Sequence, residues 1–117
     1  MIKLAIKEAS LSQARCKHGA VVTRGGSVLG KGRNTYKTHA TRGRGPLRTL
    51  HAEAACIRDA ERRGINLRGA TIYVARTGNK SQMSRPCLVC QQMIEDYGIR
   101  KVVYTDETGA VITTWPL

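Results

Sequence analysis

His51-Ala52-Glu53 and, further along, Pro86-Cys87-Leu88-Val89-Cys90 constrain the fold of this chain more than any other residues. One imidazole and two cysteine sulfurs supply three of the four ligands of a tetrahedral zinc ion. The fourth position then stays open to water, which separates a reactive centre from a closed structural one. To build such a centre the fold must bring together segments whose first ligands, His51 and Cys87, stand 36 positions apart. Neither half is specific alone. A histidine before a helix more often caps or packs, and a Cys-x-x-Cys can be a redox pair or half of a closed zinc site. A four-thiolate site would need Cys16 and Cys56, which are too isolated to form a second knuckle. The two halves in this order, with Pro86 directly before the first cysteine, specify an open zinc site.

Thiolate and imidazole suit zinc's borderline softness. A Cys-x-x-Cys at a helix start sets both sulfurs on one face, and the helix N-terminus favours their thiolate form. Glu53 lies two residues past His51, a step of about 200° around a helix, so the two side chains diverge in mid-helix. They converge only where the backbone is just entering the helix, and that is where the motif belongs. A carboxylate there is the natural acid/base for a water that zinc acidifies.

The 117 residues are expected to form one domain, 1–117, with an aliphatic core, since the chain has no Phe. No stretch reaches the ~20 apolar residues of a membrane span, and the first residues lack the apolar run of a signal peptide. With two of the four cysteines assigned to zinc, a disulfide scaffold is not expected, which points to a reducing cytoplasm. Cys16 and Cys56 read as buried small residues. The net charge of +12 is uneven: residues 1–50 hold 11 Lys or Arg against one acid, Glu8, and the remainder holds 9 against 7. Lys37, Arg42, Arg44 and Arg48 crowd the stretch before His51. An anionic partner, nucleotide or nucleic acid, follows from that asymmetry.

Ile2, Ala5, Ile6 and Ala9 predict an amphipathic first helix. Residues 19–23 and 28–30 read as strands around a turn at 24–27, and 35–49 as a loop without period. A helix is expected from about Leu50 to Arg63, a strand over 70–75, and a cysteine-bearing helix to about Tyr97 with Gly98 as its cap. Strands over 101–105 and 110–115 are joined by four residues, which forces them antiparallel.

This order of elements resembles the cytidine deaminase fold over essentially the whole chain. The H-x-E…P-C-x-x-C pattern is the signature of the zinc-dependent nucleobase deaminases, and the best likeness is to small bacteriophage-type deoxycytidylate and cytidine deaminases. The resemblance implies an α/β class, a three-layer α/β/α arrangement around a five-stranded mixed sheet with the last two strands antiparallel. It implies one zinc per chain on His51, Cys87 and Cys90, with Glu53 as the proton shuttle. It places the Ala52 N–H on the base carbonyl, Pro86 in the substrate pocket and Asn34 on the sugar. Read from the residues alone, Asn34 is a turn residue satisfying its own backbone. The loop before His51 offers His39 but no cysteine, so a second zinc is not expected.

The implied activity is hydrolytic deamination of a cytosine nucleotide or nucleoside, of the dCMP, CMP or cytidine type, to its uracil form with release of ammonia. Lys37, Arg42, Arg44 and Arg48 would then hold phosphate. Two alternatives stand beside it. One is deamination of a base within single-stranded DNA or RNA, with the basic half tracking the backbone. The other is a non-catalytic zinc module that binds nucleic acid, in which Glu53 is dispensable. The antiparallel last strands, the lack of a helix after Trp115 and the few aromatics favour the free substrate. The expected partners are a small molecule and, through the family's habit of packing active-site helices together, a second copy of the chain. Nucleic acid is the alternative partner, and no membrane is expected.

Overall fold

The computed structural model describes residues 1–12, 17–37, 48–77 and 83–114, with 35–37 and 48–50 described by their backbone. The elements in chain order are α1 (Ile2–Ser10), β1 (Lys17–Arg24), β2 (Ser27–Arg33), β3 (Thr35–Lys37), β4 (Arg48–Leu50), α2 (Ala52–Arg62), β5 (Thr71–Thr77), α3 (Leu88–Asp96), β6 (Lys101–Thr105) and β7 (Val111–Thr114). Five strands form a mixed sheet in the order β2-β1-β5-β6-β7. Its β5–β6 pair is parallel and the other pairs are antiparallel, including β6–β7 at the end.

The layers follow from side-chain alternation along each strand. Ala20 and Val22 of β1, Ile72 and Val74 of β5, and Val102 and Tyr104 of β6 bury into one cluster with Ala52, Cys56, Ile57 and Ala60 of α2 and Ile94 of α3. The intervening Val21 and Ala75 point to the opposite face and pack on Ala5 of α1, with Ile2 and Tyr73 beside them. Helix α1 therefore covers one face and α2 with α3 the other, the expected α/β/α arrangement. No helix among the described residues is long and apolar enough to cross a membrane.

The first hairpin is tighter than its sequence suggests. Arg24 pairs directly with Ser27, so the turn has only Gly25 and Gly26 at its centre, with φ of 58° and 84°. Both glycines sit in the left-handed region that the favoured two-residue hairpin requires. Further along β2, Gly30 and Gly32 let α2 lie directly on the strand. A Cβ on Gly32 would collide with the Cys56 backbone nitrogen and stand 2.7 Å from Ala55 Cβ; one on Gly30 would stand 2.7 Å from the Cys56 carbonyl oxygen. Both obstacles are largely backbone, which cannot rotate away. Gly32→Ala is therefore expected to destabilise the protein by about 1–3 kcal/mol through overpacking, read as a lowered thermal midpoint. An unchanged midpoint would mean that α2 does not sit this close to β2.

Two boundaries differ from expectation. Within the stretch 35–49, expected as loop, residues 35–37 and 48–49 belong to an antiparallel ladder in which Thr35 pairs with Leu50, Tyr36 with Thr49 and Lys37 with Arg48, and 38–47 lie outside the described residues. Three residues per strand are too few to display a period, and the pairing is non-local. Helix α2 consequently starts at Ala52 instead of Leu50, because Leu50 belongs to β4 and His51 is the cap.

Candidate metal centre

His51 and Cys87 occupy the same position on their respective helices. His51 caps α2 with φ −69° and ψ 147°, and Cys87 caps α3 with φ −70° and ψ 168°. Each backbone is extended and each carbonyl accepts the first helical bond, from Ala55 N–H at 3.0 Å and from Gln91 N–H at 2.8 Å. Neither side chain bonds its own helix end. The two meet each other instead. His51 Nδ1 stands 3.6 Å from Cys87 Sγ and 3.3 Å from Cys90 Sγ, and the three donor atoms lie within 4.8 Å of one another.

Those separations fit zinc. Bond lengths of about 2.0–2.1 Å to nitrogen and 2.3 Å to sulfur in a tetrahedron put nitrogen and sulfur about 3.6 Å apart. One borderline and two soft donors also match the metal's preference. Cys87 caps α3 and Cys90 lies in its first turn, where the positive end of the helix favours thiolate. Burial works the other way at Cys90, which is 2% exposed. Burial first, then the nearby Glu53 carboxylate, pushes its thiol upward. A cation among the three donors reverses that balance by taking the place of the thiol proton.

Glu53 occupies the first turn of α2 at 5% exposure. Burial raises its carboxyl above the ordinary carboxylate value, against weaker opposing contributions from its backbone N–H, His51 and a hydrogen bond with the Cys90 side chain. A buried carboxyl with raised proton affinity beside a ligand set is suited to moving protons. Ala52, fully buried, is the first helical residue of α2, where a helix leaves its N–H for an external acceptor. Pro86 is buried as well, and its carbonyl accepts a 2.8 Å bond from Gln91 Nε2.

Asn34 lies between β2 and β3, and its N–H donates to the His18 carbonyl at 3.2 Å. It is 5% exposed, and its Oδ1 accepts from Ser12 Oγ at 2.7 Å and from the His18 N–H at 2.9 Å. The side chain thus ties the end of β2 to the segment after α1, a structural task beyond its own turn. Lys37 and Arg48 form the far rung of the same ladder, while Arg42, Arg44, His39 and Cys16 lie outside the described residues. Cys56 takes no part in the donor group. It is fully buried, its Sγ meets the Gly30 carbonyl at 3.5 Å, and burial pushes its thiol up, which leaves it inert. The sequence does not single out Ser84, which is 2% exposed and sits three residues before Cys87. An isolated serine in an irregular stretch carries no periodic or motif signal.

Comparison with known proteins agrees with this geometry. Residues 1–106 match the family model for the cytidine and deoxycytidylate deaminase zinc-binding region. The apo dCMP deaminase of cyanophage S-TIM5 superposes with a TM-score of 0.70 at 26% identity, over 92% of this chain and 80% of that one. A cytidine deaminase from Burkholderia pseudomallei shares the fold with a TM-score of 0.75 at 24% identity, over 98% of this chain and 89% of the other. A bifunctional diaminohydroxyphosphoribosylaminopyrimidine deaminase/5-amino-6-(5-phosphoribosylamino)uracil reductase from Thermotoga maritima aligns at 29% identity with a TM-score of 0.51, over 86% of this chain but only 26% of that one. No curated protein matches the sequence.

Proposed function

The chain belongs to the cytidine and deoxycytidylate deaminase family, and we propose that it hydrolyses the exocyclic amine of a free cytosine mononucleotide, giving the uracil form and ammonia. The observation that carries this is the convergence of His51 Nδ1, Cys87 Sγ and Cys90 Sγ within 4.8 Å, with the Glu53 carboxyl buried against Cys90. These three atoms would hold one zinc ion per chain. Zinc bound there supplies a Lewis acid that brings the acidity of water close to neutral pH.

The remaining work belongs to the chain. The Glu53 carboxylate accepts one proton from the attacking water and passes it to the ring nitrogen, then takes the remaining proton of the added hydroxyl and delivers it to the amine, which leaves as ammonia as the new carbonyl forms. Burial raises its proton affinity above that of an ordinary carboxylate, which favours the proton-carrying form that each delivery requires. The Ala52 N–H, at the N-terminus of α2, donates to the base carbonyl, and buried Pro86 walls the pocket. Asn34, buried directly before β3, meets the sugar.

Two features support a free monophosphate as substrate. The first, which favours a free substrate over a polymer, is the antiparallel β6–β7 pair, the arrangement that the family resemblance associates with free-nucleoside members. The second is the Lys37–Arg48 rung, which sets two cations at directly opposite ladder positions. Arg42 and Arg44 complete the proposed phosphate loop.

An ultraviolet assay across dCMP, CMP, deoxycytidine, cytidine and a single-stranded oligonucleotide tests the substrate. The monophosphates are expected to turn over most efficiently. Replacing Lys37 and Arg48 together by Ala should raise KM for the monophosphate about 10- to 100-fold, the loss of one or two charge-assisted hydrogen bonds, and leave the nucleoside nearly unchanged. Efficient conversion of the oligonucleotide without turnover of CMP or dCMP would replace the free substrate by a polymer.

A further inference from the structure

Ser84 sits where the two parallel strands of the sheet part. The β5–β6 ladder ends at the Val74–Tyr104 rung. Beyond that rung the Ser84 N–H donates to the Thr105 carbonyl at 2.8 Å, and the Thr105 N–H donates to Ser84 Oγ at 2.7 Å. Ser84 Oγ also bonds the Val74 carbonyl at 2.7 Å and the Thr105 hydroxyl at 2.8 Å. A serine hydroxyl has one proton and two lone pairs. Here the proton goes to Val74, and the lone pairs accept from the Thr105 N–H and Oγ1. Every hydrogen-bonding position of a side chain only 2% exposed is therefore used.

This arrangement does two things at once. It wedges open the carboxyl ends of β5 and β6, the place where open α/β sheets form their ligand crevice. It also fixes a stretch that no ladder holds, because residues 83–86 have neither helix nor strand and yet must deliver Cys87 to His51. In the same stretch Met83 packs against the core cluster on the sheet, and the bond from Gln91 Nε2 to the Pro86 carbonyl comes from α3 itself. His51 reaches the site on α2, which packs on the same sheet through Ile57 and Ala60. The sheet is thus the common reference for both halves of the ligand set.

We propose that Ser84 is a positioning residue for the metal centre: its hydroxyl pins the segment before Cys87 to the split ends of β5 and β6, and so holds Cys87 and Cys90 at the spacing that His51 requires. The inference rests on the zinc reading of the site. Ser84 touches neither metal nor substrate and acts through Cys87. Groups outside the ligand set that orient its members tune metal affinity.

The test compares zinc release into excess chromophoric chelator for the zinc-loaded full chain and its variants, with the thermal midpoint of each apo form measured alongside. Ser84→Ala is expected to release zinc at least about tenfold faster than wild type. Leu67→Ala, which opens the core at a residue 2% exposed, serves as a destabilised control and should release zinc at the wild-type rate. Thr105→Val, which removes the Oγ1 partner and keeps the Thr105 N–H, should accelerate release by a smaller factor, and it carries the test if Ser84→Ala fails to fold. Release from Ser84→Ala no faster than from Leu67→Ala, or wild-type release from Thr105→Val, overturns the proposal. A wild-type chain that takes up no zinc contradicts the metal-centre reading itself and takes this inference with it.

Discussion

Glu53→Gln is expected to keep both zinc and fold while kcat drops about 100- to 10,000-fold, the usual span for removal of a general acid/base. The substitution preserves volume at a position only 5% exposed, so packing around the start of α2 is retained. What it removes is a group that gains and loses a proton. The carboxyl is held by burial above its ordinary range and contacts the Cys90 side chain, so a neutral amide can occupy its place without a large rearrangement. Zinc content, thermal midpoint and kcat measured on one preparation separate the outcomes. A wild-type rate with zinc retained would remove Glu53 from the mechanism. Loss of zinc together with rate would show that the carboxyl holds the site together instead of moving a proton.

Cys90→Ser should abolish zinc uptake and activity together. A serine hydroxyl stays protonated at neutral pH and does not replace a thiolate on zinc. Cys90 is the deeper of the two sulfur ligands, 2% exposed against an exposed Cys87, and its loss leaves His51 Nδ1 with one sulfur 3.6 Å away. Metal that binds the native state alone stabilises it by mass action, about 4 kcal/mol when free zinc stands at 1,000 times Kd. The variant is therefore expected to unfold at the temperature of chelator-stripped wild type, whether or not zinc is added. Cys56→Ser is the matched control. Cys56 is buried away from the donor group, against Gly30, so that variant should bind zinc normally and lose only packing stability. Equal zinc loss in both variants would mean that the sulfur assignments are wrong.

The site was legible in the sequence because its chemistry is stored in short local strings. His51, Glu53, Cys87 and Cys90 each sit within a few residues of another member of the set. The helical angle between His51 and Glu53 was enough to require the motif at a helix entrance, and His51 is indeed the cap of α2. The terminal hairpin was legible for a similar reason, since the few residues between Thr105 and Val111 leave no room for a parallel crossover. What escaped was non-local. The β3–β4 ladder joins three-residue segments with too little length to show alternation. Asn34 reads as a turn former until Ser12 and His18 arrive from a different part of the chain. Ser84 acquires its partners only when β5 and β6 diverge around it. The glycines of β2 gave no sign from sequence alone that α2 would press on them.

An open zinc centre leaves its own signature in X-ray absorption at the zinc edge. One zinc per chain is expected, with two sulfurs at about 2.3 Å and two lighter nitrogen or oxygen neighbours at about 2.0 Å. That shell corresponds to Cys87, Cys90, His51 and one position left to water or substrate. A shell of three or four sulfurs, or a purified chain that holds no zinc, would contradict it.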